Sequence, residues 1–367
     1  MKDRDIFALA ALQCVRGLNA AALLPLLRTL GGARRVWEAS AAELAAAGME
    51  RRTLAALERY RAKHAQEPER IAALCAEQTV SLVALGEAAY PKSLAAIYQP
   101  PLVIYVRGSL PPDVECLGIV GARRFSRYGE GIAEKLGEEL AASGFCVVSG
   151  AARGIDSAAH RGALRTGRTV AVLGCGVDIA YPAENRRLLA DIIATGGAIV
   201  SEYAPGTPPL PAFFPARNRI ISGLSKGIIV VEAAERSGSL ITAQLALDEG
   251  RDVFAVPGSI YSPTSQGCHR LIQQGAKLVT SVRDVLEEYG REPAPRAPRK
   301  RKDADLSGEE RALYQVLSYE HPLSIDEIIT SLKDGDPARL SFLLLGLELK
   351  GLVIENESHG YLRAERE

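Results

Sequence analysis

Seven arginines stand where short apolar runs give way to glycine, serine or asparagine. Arg123, Arg124 and Arg127 lie in "GARRFSRYG" (121–129), directly after "CLGIV". Arg153 follows Gly150 in "GAARGIDSAAH" (150–160), and Arg217 and Arg219 flank Asn218 in "FFPARNRIISG" (213–223). Arg236 precedes Ser237, Gly238 and Ser239 in "AERSGSLITA" (234–243). A guanidinium offers a planar fork of donors that matches phosphate. Glycines such as Gly121 and Gly150 let backbone N–H groups approach an anion closely, and serines add hydroxyl donors. Any one of these loops could be a tight turn with solvated charges. Their recurrence after consecutive apolar runs points to an anion cradle with several contacts.

The residues for turnover are not assembled in the same way. His160 lies four positions after Asp156 on one helical stretch, which fits capping or packing better than general-base work. Ser149 in "VVSGAARG" lacks the G-x-S-x-G elbow of a nucleophile. "GARRFSRYG" and "LGCGVDIAY" do not fit the dinucleotide fingerprint, and no phosphate-binding G-x-x-x-x-G-K-[ST] loop occurs. The cysteines (14, 75, 116, 146, 175 and 268) are scattered without a C-x-x-C pair, so buried thiols are expected, with neither metal nor cofactor. Glu202 and Glu232, at the ends of apolar runs, read as structural partners for arginine. A nucleic-acid strand also needs aromatic faces for its bases. Phe213 and Phe214 precede the basic "ARNR", and Tyr128, Tyr181 and Tyr261 fall in other loops of the set. The phenylalanine pair could equally pack beneath its loop.

These loops need a scaffold that ends many strands at one edge. Between residues 100 and 285, β-branched runs ("LVIYV", "CLGIV", "FCVVS", "TVAVLG", "AIVSE", "GIIVVEA", "DVFAVPG") alternate with amphipathic stretches such as "GEGIAEKLGEELAAS". That alternation is the pattern of an α/β fold, a Rossmann-like, doubly wound, mostly parallel sheet. Ligands of such sheets sit beyond the carboxyl ends of the strands. Residues 1–70 read as short helices with glycine-containing turns, a helix-hairpin-helix or SAM-like domain, and Ser40 with Glu43 forms a capping-box pattern. The core then spans 71–290, a Pro-rich basic linker 291–304, and three helices with a hairpin, a winged-helix pattern, 305–367. Within the core, "FFPARNRIISG" is placed in a long loop after "AIVSE".

Lys and Arg together number 44, as do Asp and Glu, and this balance conceals an asymmetry. The linker holds 6 basic and 2 acidic residues, whereas 305–367 holds 6 basic and 13 acidic. A domain gripping a duplex should be basic, because phosphate contacts dominate affinity. Its third helix, "ARLSFLLLGLELK", offers only Arg339 and Lys350, so this domain is expected to bind protein. No apolar run approaches a membrane span and no secretory signal is evident, which leads us to expect a cytoplasmic protein.

The motifs "YPKSLAAIYQPPLVIYVRG" (90–108), "IVGARRFSRYG" (119–129) and "VVSGAARGIDSAAHRGAL" (147–164) resemble the DNA-processing protein A (DprA/Smf) family. "TVAVLGCGVDIAYPAEN" (169–185), "FPARNRIISGLS" (214–225) and "EAAERSGSLITAQLAL" (232–247) follow in the order of that family. The resemblance implies a non-catalytic core that binds single-stranded DNA, forms a homodimer and loads the recombinase RecA in natural transformation. By motif position, Arg123 should contact phosphate, and Gly150, Arg153, Arg217, Asn218 and Arg219 should line the same pocket. Gly121, Arg124, Phe214, Ser237, Gly238 and Ser239 complete the expected DNA-binding set. Ala122 and "GCHRLI" depart from the family's usual residues and are assigned no contact. The competing reading is a nucleotide-processing enzyme, such as a nucleoside-monophosphate phosphoribohydrolase. Its P-G-G-x-G-T-x-x-E loop is not matched by "VPGSIYSPTSQG". A third reading is a structural adaptor with a vestigial pocket.

Overall fold

The computed structural model describes residues 3–110, 113, 115–294, 306–319, 321–332, 336–356 and 360–364. They fall into two compact units divided between residues 294 and 295. Most of the expected basic linker, from 295 onward, lies outside the described residues.

The first unit opens with six helices, α1 to α6: Asp3–Gln13, Ala20–Leu30, Ala33–Glu38, Ala41–Ala46, Arg51–Lys63 and Glu67–Glu77. Ser40 and Glu43 form the capping box at the start of α4, each satisfying the other's orphan backbone N–H. Nine strands follow, β1 to β9: Ser81–Ala84, Val103–Gly108, Cys116–Val120, Cys146–Ser149, Thr169–Leu173, Ala198–Ser201, Gly227–Val230, Asp252–Ala255 and Lys277–Leu278. Helices α7 to α14 are Lys92–Ala95, Arg127–Ala142, Ile155–Leu164, Arg186–Ala194, Phe213–Leu224, Gly238–Asp248, Gln266–Gln273 and Val282–Glu288.

The strands form one sheet in the order β1-β2-β6-β5-β4-β3-β7-β8-β9. Neighbours from β6 to β9 are parallel, while β2 pairs antiparallel with both β1 and β6. The chain winds outward from β3 through β4 and β5 to β6, then returns to place β7 on the other side of β3. The winding therefore reverses between β3 and β7, which opens a crevice at the carboxyl ends of those strands.

Alternation along the strands divides two apolar layers. Val120, Val148, Val172 and Val230 face α7, α11, α12 and α13, through residues such as Leu94, Ile221, Ala243 and Leu271. Leu117, Ile119, Val147 and Ile229 face α8, α9 and α14. Farther along this second face, Tyr105, Ala171, Leu173 and Ile199 pack against the N-terminal helices and α10. The N-terminal helical segment, expected to stand as its own domain, thus shares a core with the sheet. Gln13 fixes the junction: its amide donates to the Val103 and Glu202 carbonyls at 2.9 and 2.8 Å and accepts from the Val103 N–H.

One element departs from expectation. "FFPARNRIISG" is helical and forms most of α11. Pro215 stands in the first turn, where its missing N–H costs nothing, and Ile220, Ile221 and Leu224 are buried at helical spacing.

The second unit holds α15 to α17 (Gly308–Val316, Ile325–Leu332 and Pro337–Leu349) with β10 (Val353–Glu355) and β11 (Tyr361–Arg363), an antiparallel pair. Leu313, Ile328, Leu344 and Val353 are in its core. Arg339 in the first turn of its third helix and Lys350 just after that helix are both engaged by acids: Arg339 by Glu309, and Lys350 by Glu310 at 2.6 Å.

Candidate nucleic-acid interface

The loops after β3 and β4 are built against one another. A Cβ on Gly121 would lie 2.7 Å from Ile155 at the start of α9, and the Ile155 N–H donates to the Ala122 carbonyl at 3.3 Å. Gly154 has φ +85°, and a side chain there would run into Ala122 and Phe125. At the crevice, Glu232 is buried and holds the first loop: it accepts from the Ser126 N–H at 2.9 Å and the Ser126 hydroxyl at 2.5 Å. It also accepts from the Thr264 hydroxyl at 3.3 Å. Ser126 in turn caps α8 by accepting from the Gly129 N–H. Glu232 is therefore a loop anchor held by hydroxyl and backbone donors, not the arginine partner expected of it, whereas Glu202 does pair with an arginine, Arg219.

Arg123 and Arg124 from this braced loop, and Arg127 from the first position of α8, project into solvent, and none has an ion-pair partner among the described residues. The Arg123 guanidinium lies 5.7 Å from the centre of the Phe214 ring. Phe214 packs against Tyr181 at 5.3 Å between centres and rests on Gly174 after β5. Arg123, Phe214 and Tyr181 make a cation and two aromatic faces in series across the ends of β3, β4 and β5.

The three residues Arg217, Asn218 and Arg219 do not line one pocket. A helix rotates successive side chains by about 100°, so their inclusion in α11 sends them in different directions. Arg217 is buried beneath the β4 loop and donates to the carbonyls of Gly150 (2.7 Å) and Val172. Burial pushes its pKa down to about 10, which leaves it protonated at neutral pH. A Cβ on Gly150 would collide with this guanidinium. Arg219 turns toward Glu202 and pairs with it at 2.5 Å. Asn218 reaches the Gly238 carbonyl at 3.4 Å, at the start of α12, where Ser237 and Ser239 bond each other at 2.7 Å and Ser239 is buried.

Two further expected contacts are occupied by the protein itself. The Gly150 N–H donates to Asp156 at 3.1 Å, and the Ala152 N–H to the same oxygen at 3.4 Å. Burial raises the pKa of Asp156, against the lowering effect of Arg217 and these two N–H groups. Arg153 forms a two-pronged ion pair with Glu184, both contacts at 2.6 Å. This pair is solvent-exposed and contributes little to stability. Glu184→Gln should release the guanidinium to the mouth. A salt series on a single-stranded oligonucleotide should then show a slope steeper by about 0.7 and affinity higher by about fourfold.

Asn185 was not assigned a role from sequence. Its amide donates to the Ala151 carbonyl at 2.9 Å and the Ser157 hydroxyl at 2.8 Å, clamping the β4 loop from below. Its place at the end of "YPAEN" is the only signal of this, since the bond spans 34 residues.

His160 is fully buried in α9, with Nδ1 at 2.6 Å from the Thr169 hydroxyl. That hydroxyl donates to the Val147 carbonyl, so Nδ1–H is the donor to Thr169, and Nε2 lacks a partner. Burial holds the ring neutral, its pKa lowered to about 3. An unfolded histidine takes its proton near 6.5, so between those values the unfolded chain binds more protons and acid destabilises the fold. From about pH 7 to about pH 5 this group should cost about 2 kcal/mol of stability. Denaturant melts should show that loss in the parent and a flatter profile in His160→Gln.

The model of the family described as DNA recombination-mediator protein A matches residues 81–290, and that of the DprA winged helix domain matches 295–355. The DNA processing protein DprA of Streptococcus pneumoniae is 50% identical over 205 residues, 54% of this chain and 71% of that protein. Protein Smf of Escherichia coli is 41% identical over 294 residues, 76% of this chain and 75% of that protein. The X-ray structure of the S. pneumoniae protein matches with a TM-score of 0.67 at 37% identity, covering 78% of this chain and 98% of that one. A Helicobacter pylori DNA processing protein A, described for its single-stranded DNA binding mode, matches with a TM-score of 0.52 at 30% identity, covering 57% and 95%. On both sequence and architecture, the chain belongs to the DNA recombination-mediator protein A family.

Proposed function

We propose that this protein binds single-stranded DNA across the carboxyl edge of its sheet and delivers the strand to a RecA-type recombinase, without catalysis. The observation that carries this reading is the β3–α8 loop. With the first residue of α8 it bears three solvent-facing guanidiniums without ion-pair partners among the described residues, beside the mutually tilted rings of Phe214 and Tyr181. Phosphates would meet Arg123, Arg124 and Arg127, and bases would stack on the aromatic pair. Arg217 contributes its buried charge from beneath and fixes the loop's shape. The single-strand binding named for the H. pylori relative supports the same choice of ligand. The buried, neutral His160 and the structural engagement of Glu232 argue against acid–base work.

In this reading the protein acts in the cytoplasm as a homodimer through its sheet-bearing unit, and protects incoming DNA during natural transformation. Among the described residues no helix is long and apolar enough to cross a membrane. The winged-helix unit binds protein, because Arg339 and Lys350, the bases of its third helix and its end, are already committed to Glu309 and Glu310.

The test is a salt-series titration with a single-stranded oligonucleotide, the matching duplex and a mononucleotide. Single-strand affinity should exceed both others and fall with salt at about 0.7 log units per log unit for each phosphate neutralised. Equal affinity for the mononucleotide, or its hydrolysis, would overturn the reading.

A further inference from the structure

The loop between β8 and α13 carries two of the most exposed large apolar side chains in the protein, Ile260 at 74% and Tyr261 at 90%. Exposed apolar groups are ordinary when scattered singly, but here two are adjacent and held out on a rigid support. The loop is closed on itself: a Cβ on Gly258 would strike Ser265, the Ser262 N–H donates to the Ser259 carbonyl at 3.0 Å, and Ser262 and Thr264 bond through their hydroxyls. It is tied to the end of β7, where the Ala233 N–H donates to the Thr264 carbonyl at 2.7 Å and the Ala233 carbonyl accepts from Gly267. It is also tied to the basic loop, because the Tyr128 hydroxyl donates to the Pro257 carbonyl at 3.0 Å. Tyr128 follows Arg127 directly. The segment 257–266, "PGSIYSPTSQ", contains no acidic residue.

We propose that Ile260 and Tyr261 form a second stacking platform for single-stranded DNA, reached when the strand passes from Phe214 over Arg123, Arg124 and Arg127 to the outer side of Tyr128. The inference rests on the single-strand reading of the mouth. What assigns a nucleic acid to this tip, rather than a protein, is continuity. Because β3, β7 and β8 are parallel neighbours, their loops share one edge, and Tyr128 bridges the guanidinium row to the tip. The loop backbone that presents Tyr261 is already fixed by these bonds, so stacking need not order it, and any base offers the ring a face. The serines and threonine around it are neutral donors that tolerate a passing phosphate.

The experiment measures binding of oligothymidylates of about 4 and about 16 nucleotides to the full chain and to Tyr261→Ala, Tyr261→Phe and Arg123→Ala. Tyr261→Ala should weaken the longer strand about tenfold, leave the shorter one unchanged and keep its melting temperature, while Tyr261→Phe retains parental affinity. If Tyr261→Ala binds both lengths as the parent does while Arg123→Ala loses both, the second platform is refuted and the mouth stands. If neither variant changes either length, both fail. A Tyr261→Ala protein that binds every strand normally but no longer retains a recombinase would assign the tip to protein instead, and overturn the proposal.

Discussion

The variant carrying Arg123→Ala, Arg124→Ala and Arg127→Ala together should bind single-stranded DNA about 50-fold more weakly at about 0.15 M salt, with the salt slope flatter by about 2. Each guanidinium that meets a phosphate displaces part of the strand's counterion atmosphere, and the slope counts such displacements. Arg123 and Arg124 lie in the β3–α8 loop, Arg127 opens α8, and all three are solvent-facing, so their removal should leave the fold intact. The loop keeps its Ser126–Glu232 anchor and its contact with Ile155 in the variant. An unchanged slope with an unchanged melting temperature would place the strand on another surface.

The second large effect is on stability. Arg217→Ala should destabilise the sheet-bearing unit by about 3–5 kcal/mol, measured by denaturant unfolding. The guanidinium is buried, bonds the Gly150 and Val172 carbonyls, and, with Arg123, is a positive charge that favours the ionised form of buried Asp156. Removing it leaves two carbonyls short of a donor and a carboxylate short of a counter-charge. Single-strand binding should fall as well, through the collapse of the β4 loop. The pair Arg217→Ala with Asp156→Asn should recover part of the stability, since the unpaired charge is then gone. A loss under about 1 kcal/mol in the single variant would show that the loop does not depend on this support.

Much of this arrangement could be read directly. Alternating β-branched runs and amphipathic stretches specify a parallel sheet, and the chain order of the strand-end motifs specifies which loops share an edge. Arg123 and Phe214 were legible as a cation and an aromatic face at that edge, and the structure brings them to 5.7 Å. The direction of each guanidinium was not legible. Placing "FFPARNR" in a loop let Arg217, Asn218 and Arg219 converge, whereas a helix separates them by its own rotation. Nor does local sequence reveal that Arg153 is claimed by Glu184, 31 positions away, or Arg219 by Glu202, 17 positions away. Composition counts charges, and only the fold determines which of them cancel.

The carboxylate of Asp156, seated on the N–H groups of Gly150 and Ala152, has a consequence for selectivity. The two loop N–H groups that could have received a lone phosphate are already taken by a resident carboxylate. A small ligand must make do with peripheral side chains and gains few contacts to repay its lost freedom. A polymer touches the same periphery many times within one molecule, each grip raising the effective concentration for the next. On the proposed reading, the protein would ignore the cell's abundant free nucleotides and still hold a long chain built from them.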